Sequence, residues 1–508
     1  MRVLPVILIV CGVLAVSDGA KILAVFSMGA HSHFTLGFKL AKELADRGHD
    51  VTLINAYPQK TPIKNLKEIS VAEMRIIMDE QKKGLFDMGT MTYLGQLRWV
   101  SNMGNFYTDH VLKNKDVQKL LNSNEQFDLV LMEDFVNKAM TIFAHRFNCP
   151  LIILAPGPTT VFNNDLFVNP SPSSYVPNFL ANFGSSMTFW QRLKNTYYDI
   201  VGQLFLHYVL LPEQDAILKE AVPNAPDLKS IIYNASLMLT ASHISLRDAA
   251  PLQPNIKEIG GYHVGPLKQL PKDLQEFLDN ANEGVIVFSM GSNLKSADFP
   301  KAKKDAVLKT FANMKQKVLW KFEDDLPEKP DNLKIMSWIP QQEVLAHPNV
   351  ILFITHVGLL GTIEAIYHGV PLLGLPVFWD QEKNIEEAVL KGFGLKISFP
   401  ELNVDNFAWA VNELVSNPKY RQTAKTRSKI MHDQPVKQMD EAMFWIEYVI
   451  RHKGAPHLRS PGLNLRWYQL HLVDVALFVL SSITVLFVGI FCACKRVFSG
   501  KHEKSKKE

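Results

Sequence analysis

The chain has 508 residues, enough for two large domains. Apolar residues make up 47% and charged residues 20% of it, the balance of an ordinary globular protein, and it contains no internal repeat or low-complexity tract. A formal net charge of +4, spread evenly, is too small to indicate nucleic-acid binding, so we expect no nucleic-acid partner.

The N-terminus has the composition of a cleavable signal peptide. Met1-Arg2 precedes an apolar run from Val3 to Val16, and small residues follow from Ser17 to Ala20. Cleavage after residue 17 or 19 would satisfy the preference for small side chains on both sides of the site. We therefore assign residues 1–19 to a signal peptide.

A β-loop-α-β pattern follows. Lys21 to Ser27 predicts a buried strand, Met28 to His33 a loop, and Phe34 to Arg47 a helix that Gly48 closes. His49 to Asn55 predicts the second strand. This order is the usual opening of a doubly wound α/β domain.

The rest of the first domain alternates between strands and less regular segments. Residues 60–124 have a mostly helical pattern, and residues 157–228 predict long loops with short helices. Between these two regions, Phe127 to Met132 and Pro150 to Leu154 predict strands, and Asn137 to Arg146 predicts a helix. After them, Ser236 to Ser242 and Lys257 to Ile259 predict two short strands. We assign residues 20–265 to this domain and residues 266–283 to a linker.

A second sheet begins at Gly284 to Ser289, followed by a turn suited to phosphate at Met290 to Asn293. Asn349 to Thr355 and Val370 to Phe378 predict two more strands, with a helix between them that ends at Gly369. Polar residues therefore collect at strand carboxyl ends and at a helix N-terminus, where α/β sheets bind ligands and helices bind phosphate. Helices over residues 403–451 are expected to close this domain, residues 284–455.

The C-terminus predicts a membrane anchor. Val475 to Cys494 carries no charge and is long enough to span a bilayer, so we assign residues 472–494 to one transmembrane helix. The basic residues after it indicate that residues 495–508 form a cytosolic tail. Lys504 and Lys506 have the spacing of a dilysine signal for return to the endoplasmic reticulum; a merely solvated basic tail is the alternative.

Cysteine, metal and glycosylation signals are few. Only Cys149 would be lumenal, so no intrachain disulfide can form there. No Cys/His cluster has metal-ligand spacing, and no Asp-x-Asp motif occurs. Asn234-Ala235-Ser236 is an N-glycosylation sequon, whose use requires exposure of Asn234.

The stretch from Trp338 to Gln381 resembles the nucleotide-sugar motif of the UDP-glycosyltransferases. The likeness is to the membrane-anchored branch of the secretory pathway that includes the glucuronosyltransferases, and within it to the insect members. It consists of the order and spacing of nine residues: Trp338, Gln341, His356, Gly358, Glu364, Pro371, Pro376, Asp380 and Gln381. The resemblance implies an α/β GT-B fold, with two facing Rossmann-like domains and the active cleft between them.

One position departs from this pattern. Val357 stands where many members of the family have glycine. Because valine is β-branched and disfavours positive φ, we expect Val357 to adopt an ordinary extended conformation.

The resemblance also implies a catalytic base. Ser32-His33-Phe34 matches the site at which the family carries its catalytic histidine, and a histidine titrates near neutrality, as a general base requires. His31 is the local competitor. Without the resemblance, a solvated loop histidine would be the better interpretation.

A carboxylate should orient that histidine. The family has its aspartate at the end of the strand matched by residues 127–132, and Glu133 and Asp134 are both candidates here. Counting without gaps selects Glu133, whereas residue type slightly favours Asp134. Because side chains alternate along a strand, we expect only one of them to reach His33.

The donor residues follow from the same motif. By the resemblance, Trp338 stacks on uracil, Gln341 binds ribose or uracil, and Glu364 accepts from the ribose hydroxyls. His356 and the N–H groups from Gly358 through Leu359 and Leu360 to Gly361 hold the diphosphate, with Ser292 and Asn293 as further donors, and Asp380 and Gln381 bind the sugar. A helix dipole, a histidine and hydroxyls can neutralise the diphosphate, so we expect no metal and no cofactor beyond the UDP-sugar.

These expectations combine into one function. The chain is expected to transfer a hexose with inversion from a UDP-sugar to a small lipophilic acceptor, as in detoxification, with UDP-glucose favoured over UDP-glucuronic acid by the insect-like motif. It would be a single-pass type I protein of the endoplasmic reticulum membrane with lumenal catalytic domains; homo- or hetero-oligomers stay open. The alternative is a catalytically silent lipophile binder or a partner of an active transferase, which a long distance between His33 and both carboxylates would favour.

Overall fold

The computed structural model of the protein describes residues 19–81 and 91–504. It divides into two units, Met1–Leu458 and Arg459–Glu508. The first 18 residues of the predicted signal peptide, and residues 505–508 of the predicted tail, lie outside the described residues.

Two parallel sheets form the frame of the first unit. The seven-stranded sheet consists of β1 (Lys21–Phe26), β2 (Asp50–Asn55), β3 (Leu66–Ser70), β4 (Leu129–Glu133), β5 (Leu151–Ala155), β6 (Ala235–Thr240) and β7 (Ile256–Glu258), in the order β3-β2-β1-β4-β5-β6-β7. The six-stranded sheet consists of β8 (Val285–Ser289), β9 (Lys317–Lys321), β10 (Leu333–Met336), β11 (Val350–Thr355), β12 (Leu372–Gly374) and β13 (Gly394–Lys396), in the order β10-β9-β8-β11-β12-β13.

The predicted strands are confirmed within one or two residues at most ends, because long apolar runs form the buried centre of each sheet. The strands β3, β9, β10 and β13 were not predicted. Strand β3 lies at a sheet edge, where Lys67 and Ser70 face solvent, so its residues lack the continuous apolar run of a central strand. Strand β10 is likewise an edge strand and only partly buried.

Helices cover both faces of the two sheets. Those of the first half are α1 (His31–Asp46), α2 (Glu73–Gln81), α3 (Tyr93–Lys113), α4 (Lys115–Leu121), α5 (Ile142–Phe147), α6 (Val161–Phe167), α7 (Phe189–Phe205), α8 (Leu211–Ala221) and α9 (Leu228–Ile231). Those of the second half are α10 (Lys272–Asp279), α11 (Lys301–Ala312), α12 (Gln341–Leu345), α13 (Leu359–His368), α14 (Gln381–Leu390), α15 (Val404–Ser416), α16 (Pro418–His432) and α17 (Gln438–Arg451).

Two helices lie where the sequence predicted something else. Helix α10 occupies the predicted linker, with Leu274 and Leu278 fully buried, and Asn349 donates to the carbonyl of Leu278. Helix α17 was expected to close the second domain. Instead it packs against α1 and β6, where Arg47 binds Asp440 at 2.6 Å. We call residues 19–258 the N-terminal lobe and residues 272–432 the C-terminal lobe.

Helix α1 begins at His31, three residues earlier than predicted, so His31 and His33 lie in its first turn and not in a loop. Its buried face packs on β1, and the contact is closest at Gly37. A Cβ atom on Gly37 would lie 2.0 Å from Cγ of Phe26. This absence of a side chain lets α1 approach the sheet and sets the position of its first turn.

The second unit contains α18 (Trp467–Leu470) and α19 (Val473–Lys504). Within α19, the stretch Val473–Arg496 is long and apolar enough to cross a membrane, judged by length and composition. It coincides with the transmembrane helix predicted at residues 472–494.

The close packing at Gly37 gives a first testable prediction. Gly37→Ala should lower the free energy of unfolding by about 1–3 kcal/mol or more, since the added methyl overpacks the interface between α1 and β1. The exposed Lys42→Ala variant of the same helix should change it by less than about 0.5 kcal/mol. Urea unfolding of the detergent-solubilised protein measures both, and equal midpoints for the two variants would contradict this account of the packing.

Candidate active site

A cleft of about 510 Å³ lies between the two lobes. Residues at or just beyond the carboxyl ends of strands from both sheets line it, which is where α/β sheets bind ligands. They include Met28, Asp134, Ala155, Ser289, Lys321 and Thr355. The cleft is therefore the candidate active site, and every predicted donor residue and His33 line it.

His33 and Glu133 form the closest polar pair in the N-terminal wall. Nδ1 of His33 lies 2.6 Å from Oε1 of Glu133, whose side chain is almost fully buried at the end of β4. Because an ionised carboxylate only accepts hydrogen bonds, this contact places the proton on Nδ1 and leaves Nε2 as the basic nitrogen. This distance is that of a direct hydrogen bond. The long separation between His33 and both carboxylates that would have favoured a catalytically silent protein is therefore not observed.

Asp134 has a different partner. Nζ of Lys138 donates to both of its carboxylate oxygens, at 2.8 and 2.7 Å, and this ion pair is buried. The slight preference for Asp134 as the partner of His33 is therefore wrong. Because side chains alternate along the strand, Glu133 points toward α1 and Asp134 toward Lys138. Only one of the two carboxylates therefore reaches His33, as expected.

The environment of His33 determines its charge. Burial by itself lowers the pKa of His33, but the charge and hydrogen bond of Glu133, with a smaller contribution from Asp380, outweigh it and raise the pKa above its ordinary value. A raised pKa makes the neutral imidazole a stronger base once it has lost its proton. The other candidate, His31, contacts the rings of Tyr57 and Trp338.

An aromatic platform lies on the opposite wall. Trp338 is 54% exposed in the cleft, with the ring of His31 at 5.2 Å and Nζ of Lys321 at 5.8 Å from its ring centre. An exposed tryptophan flanked in this way can stack on a planar base, an interaction that contributes about 1–3 kcal/mol per base. Lys321 was not predicted; a lysine that ends the buried strand β9 at the ligand edge was its sequence signal.

Glu364 is a buried carboxyl group held by two amides. Nε2 of Gln341 donates to its Oε2 at 2.6 Å, and Nε2 of Gln342 donates to its Oε1 at 3.3 Å. Burial raises the pKa of Glu364 to about 7, against these two hydrogen bonds, which lower it. Gln341 therefore binds the carboxyl group itself, and Gln342 is a further residue that the sequence analysis did not single out.

His356 sits between two glycines. A Cβ atom on Gly291 would lie 2.4 Å from Cε1 of His356, and a Cβ atom on Gly358 would lie 2.6 Å from its Nε2. Burial, followed by the charge of Lys321, lowers the pKa of His356 to about 4. His356 is therefore neutral at physiological pH and can act on a phosphate as an N–H donor only.

The expectation of an extended Val357 is wrong. Its φ is +58°, in the left-handed region, which costs an L-residue roughly 1–2 kcal/mol. The side chain is fully buried, and the carbonyl accepts from Nδ2 of Asn384 at 3.0 Å. These neighbours hold the strained residue in place, so that the chain turns from β11 into α13 within three residues.

Helix α13 presents its N-terminus to the cleft. It begins at Leu359 after Gly358, and no side chain in the described part of the chain caps it. The N–H groups of a first turn have no intrahelical acceptor, and the helix dipole favours an anion there. Gly358, Leu359, Leu360 and Gly361 line the cleft together with Ser292 and Asn293 from the turn after β8. The arrangement can bind a diphosphate.

Asp380 and Gln381 lie at the start of α14. Burial raises the pKa of Asp380, whose Oδ2 accepts from Nδ2 of Asn384 at 2.7 Å. The side-chain oxygen of Gln381 accepts from the N–H groups of Val377 and Phe378, at 2.8 and 3.1 Å. Gln381 can therefore offer a ligand its amide nitrogen, and Asp380 its carboxylate.

The other end of the cleft is apolar. It is walled by Met28, Met78, Trp99, Val100, Met103, Phe135, Phe162, Phe179 and Trp379. The ring of Phe135 lies 4.9 Å from that of His33, so the apolar end meets the polar one at the candidate base. Such a pocket has the shape and lining that can take a lipophilic molecule with one polar group directed at His33.

Two further predictions concern a glycosylation site outside the cleft and a metal ion. Asn234 of the sequon is exposed, at the end of a short 3₁₀ turn before β6. Among the described residues, no group of three or more His, Cys, Asp or Glu side chains could hold a metal ion.

Comparison with known proteins gives a family and relatives. The family model described as "UDP-glucoronosyl and UDP-glucosyl transferase" matches residues 15–508. "UDP-glycosyltransferase UGT5" of Dactylopius coccus is 34% identical over 487 residues, covering 94% of this chain and 93% of its own length. "UDP-glucosyltransferase 2" of the same insect is 33% identical, covering 97% of each chain.

Vertebrate proteins and a solved structure are also similar. "UDP-glucuronosyltransferase 2B10" of Homo sapiens is 32% identical and covers 92% of each chain. The crystal structure of the "Glycotransferase of kitacinnamycin" superposes with a TM-score of 0.52 at 19% identity, covering 85% of this chain and 99% of that one. At that identity the structural likeness concerns the fold alone, which is GT-B.

The close packing of His356 between Gly291 and Gly358 gives a prediction about UDP binding. Gly291→Ala should weaken UDP binding by about tenfold or more, because the new methyl displaces the ring of His356. Gly392→Ala is the matched control: its φ of +75° is close to the +77° of Gly291, but no atom of the described residues lies within 4 Å of the added Cβ. Isothermal titration with UDP measures both. Similar losses in the two variants would mean that backbone strain, and not His356, accounts for the effect.

Proposed function

The chain belongs to the UDP-glycosyltransferase family, whose enzymes transfer a sugar from a UDP-sugar to an acceptor, and on this premise we propose that it moves glucose, with inversion, onto small lipophilic hydroxyl compounds. The observation that carries the mechanism is the hydrogen bond of 2.6 Å between His33 and Glu133 at the junction of the polar and apolar ends of the cleft.

In this mechanism His33 is the general base. The acceptor oxygen attacks C1 of the donor sugar while Nε2 of His33 takes the acceptor's proton, and the bond between C1 and the UDP oxygen breaks. Glu133 orients the ring and stabilises the imidazolium that forms. Attack opposite the leaving UDP turns an α-linked donor into a β-glycoside. A positioned base of this kind contributes about 10²–10⁴-fold to the rate.

The donor lies along the C-terminal wall. Trp338 stacks on uracil, Glu364 accepts from the ribose hydroxyls, and the N-terminus of α13 binds the diphosphate, with His356 and Lys321 beside it. Two kinds of protein group thus act on the leaving diphosphate, helix N–H groups and a neutral imidazole, and the ammonium of Lys321 beside them is paired with Glu323. We propose that they replace the metal ion that many sugar transferases use.

Glucose suits the sugar end of this cleft better than a uronic acid. Asp380 presents a carboxylate there, which can accept from sugar hydroxyls but repels a second carboxylate. The two cations that line this end, Arg247 and Lys383, already face carboxylates of the protein, Glu387 among them. Relatives named for glucosyl and for glucuronosyl transfer are similarly identical to this chain, so identity does not distinguish the two sugars. The proposal of glucose therefore rests on the local charge.

The acceptor and the location follow from other features. The methionine and aromatic wall supports planar or lipophilic acceptors such as phenols, and therefore a role in conjugation and detoxification. The apolar helix of the second unit and the signal-like N-terminus support a single-pass protein of the endoplasmic reticulum membrane with its catalytic unit in the lumen. On that topology Asn234 is a glycosylation site.

The first experiment measures UDP release by microsomes that carry the protein. UDP-glucose and UDP-glucuronic acid are compared against a panel of phenols, with His33→Ala alongside the wild type. We expect turnover with UDP-glucose that falls about 10²–10⁴-fold in the variant. Turnover confined to UDP-glucuronic acid would overturn the sugar assignment, and turnover that survives the mutation would remove His33 as the base.

The two neighbouring carboxylates predict different effects. Glu133→Gln should lower the rate and move the acid limb of kcat/KM to lower pH, because the raised pKa of His33 depends on the charge of Glu133. Asp134→Asn should instead lower stability by about 3–5 kcal/mol, since Lys138 is left as an unpaired buried charge. The pH profile of kcat/KM and thermal unfolding distinguish them. A shifted acid limb in Asp134→Asn alone would contradict the assignment of Glu133.

Glu364 predicts a pH-dependent affinity for UDP. Its pKa of about 7 in the free site should fall when ribose hydroxyls donate to the carboxylate, so that binding releases a proton. The affinity should therefore rise as the pH increases through about 7 and then level off. Because the terminal phosphate of UDP titrates in the same range, the test is the difference between wild type and Glu364→Gln. Parallel pH curves for the two proteins would show that Glu364 does not bind the ribose.

A further inference from the structure

The amide of Asn384 connects three parts of the cleft. Its Nδ2 donates to Oδ2 of Asp380 at 2.7 Å and to the carbonyl of Val357 at 3.0 Å. Its Oδ1 accepts from Nη2 of Arg247 at 2.9 Å. Asn384 is fully buried on α14, so its side chain has no solvent to compensate for a lost partner. The orientation of this amide therefore determines where the carboxylate of Asp380 points.

Arg247 comes from the other lobe. It lies in the loop between β6 and β7 of the N-terminal lobe, lines the cleft, and reaches across to α14 of the C-terminal lobe. Burial lowers the pKa of Arg247, and the negative charges of Glu387 and Asp380 oppose this effect. Its Nε is buried and has no hydrogen-bond partner among the described residues. Buried donors without a partner are rare in native proteins, and a hydroxyl of a bound sugar would be an acceptor for this one.

Two other polar contacts join the N-terminal lobe to the same helix. Nζ of Lys391 binds Oδ1 of Asp248 at 2.6 Å, and Nζ of Lys383 donates to the carbonyl of Phe183 at 3.1 Å. These two lysines join the two lobes without a hydrogen bond to Asp380 or Asn384 among the described residues. Of the three contacts, the one from Arg247 continues through a shared amide to Asp380.

We propose that Arg247 is a positioning residue by which the N-terminal lobe completes the donor-sugar site: through Asn384 it fixes the carboxylate of Asp380 for the sugar hydroxyls. This proposal rests on the proposed function, because it assumes a UDP-sugar in the cleft. It makes the sugar end of the site dependent on both lobes. The residues assigned to uracil, ribose and diphosphate, namely Trp338, Glu364 and the first turn of α13, are all in the C-terminal lobe, and the N-terminal lobe adds the ring of His31 beside Trp338.

The division of the site into a sugar end and a UDP end predicts which ligand's binding depends on Arg247. UDP is bound by residues of the C-terminal lobe, and Arg247 reaches them indirectly, through the bond from Asn384 to the carbonyl of Val357. The affinity for UDP should therefore depend on Arg247 far less than the affinity for a UDP-sugar. A UDP-sugar places its hydroxyls at Asp380, so its binding and turnover should. A lysine keeps the charge of arginine but has neither the planar fork nor an Nε–H donor, and it cannot replace the contact with Asn384.

The test compares Arg247→Met and Arg247→Lys with Asp248→Asn as the matched control in the purified full-length protein. Asp248→Asn weakens another contact between the N-terminal lobe and α14 but has no connection to Asp380. For each protein the dissociation constants of UDP and of UDP-glucose are measured by calorimetry, and kcat and KM with a phenol acceptor by UDP release.

We expect both Arg247 variants to bind UDP within twofold of the wild type and to lose about tenfold or more in kcat/KM for UDP-glucose, with Asp248→Asn unchanged in both. Retained UDP binding also shows that the variants are folded. Equal losses in the Arg247 variants and in Asp248→Asn would overturn the proposal in favour of lobe docking in general. Wild-type behaviour of Arg247→Lys would show that charge alone suffices and would also overturn it.

If the proposed transfer of glucose is itself wrong, these experiments give a different set of results. If the wild type binds UDP but shows no difference between UDP and UDP-sugars and no turnover with either donor, the transfer of glucose is wrong. If the wild type transfers glucose and Arg247→Met does so equally well, only the role of Arg247 is wrong.

Discussion

The parallel direction of every strand in both sheets is the constraint on which the site depends. Parallel strands end at one edge, so each sheet collects its polar chain reversals on one side, and the two edges face each other across the cleft. His33 and Asp134 line one wall, with Glu133 hydrogen-bonded to His33, and Lys321, His356 and Asp380 line the other. The polar backbone groups that cannot join a sheet at these ends become the groups that a ligand can use.

Within the cleft, burial and pairing give each ionisable group a separate role. Glu133 has an imidazole partner and raises the pKa of His33, which suits a base; His356 has a nearby lysine and burial, and stays neutral. Glu364 is surrounded by amides and has a pKa of about 7, so a change in its hydrogen bonds is sufficient to change its charge. Similar side chains thus differ in charge because their neighbours differ.

Local strain marks the place where the two halves of the donor site meet. Val357 holds a left-handed conformation that valine disfavours, with His356 packed between glycines on one side and Asn384 bonded to its carbonyl on the other. The same amide binds Asp380 and Arg247. A valine at this position is therefore compatible with a formed site, because buried contacts and hydrogen bonds offset the strain.

The sequence by itself determined the fold class, most interior strands of the two sheets, the apolar C-terminal helix and the family, because long apolar runs and a spaced motif are properties of the local chain. It also located His33 and the predicted donor residues, all of which line the cleft. It could not choose between Glu133 and Asp134, since both are adjacent acids and only the packing of α1 on the first sheet decides which one meets the imidazole. Nor could it identify Lys321, Gln342 or Arg247, or the return of α17 to the first sheet, because each depends on contacts between segments far apart in the chain. The conformation of Val357 was missed for the same reason: residue preference favours an extended backbone, and tertiary contacts override that preference.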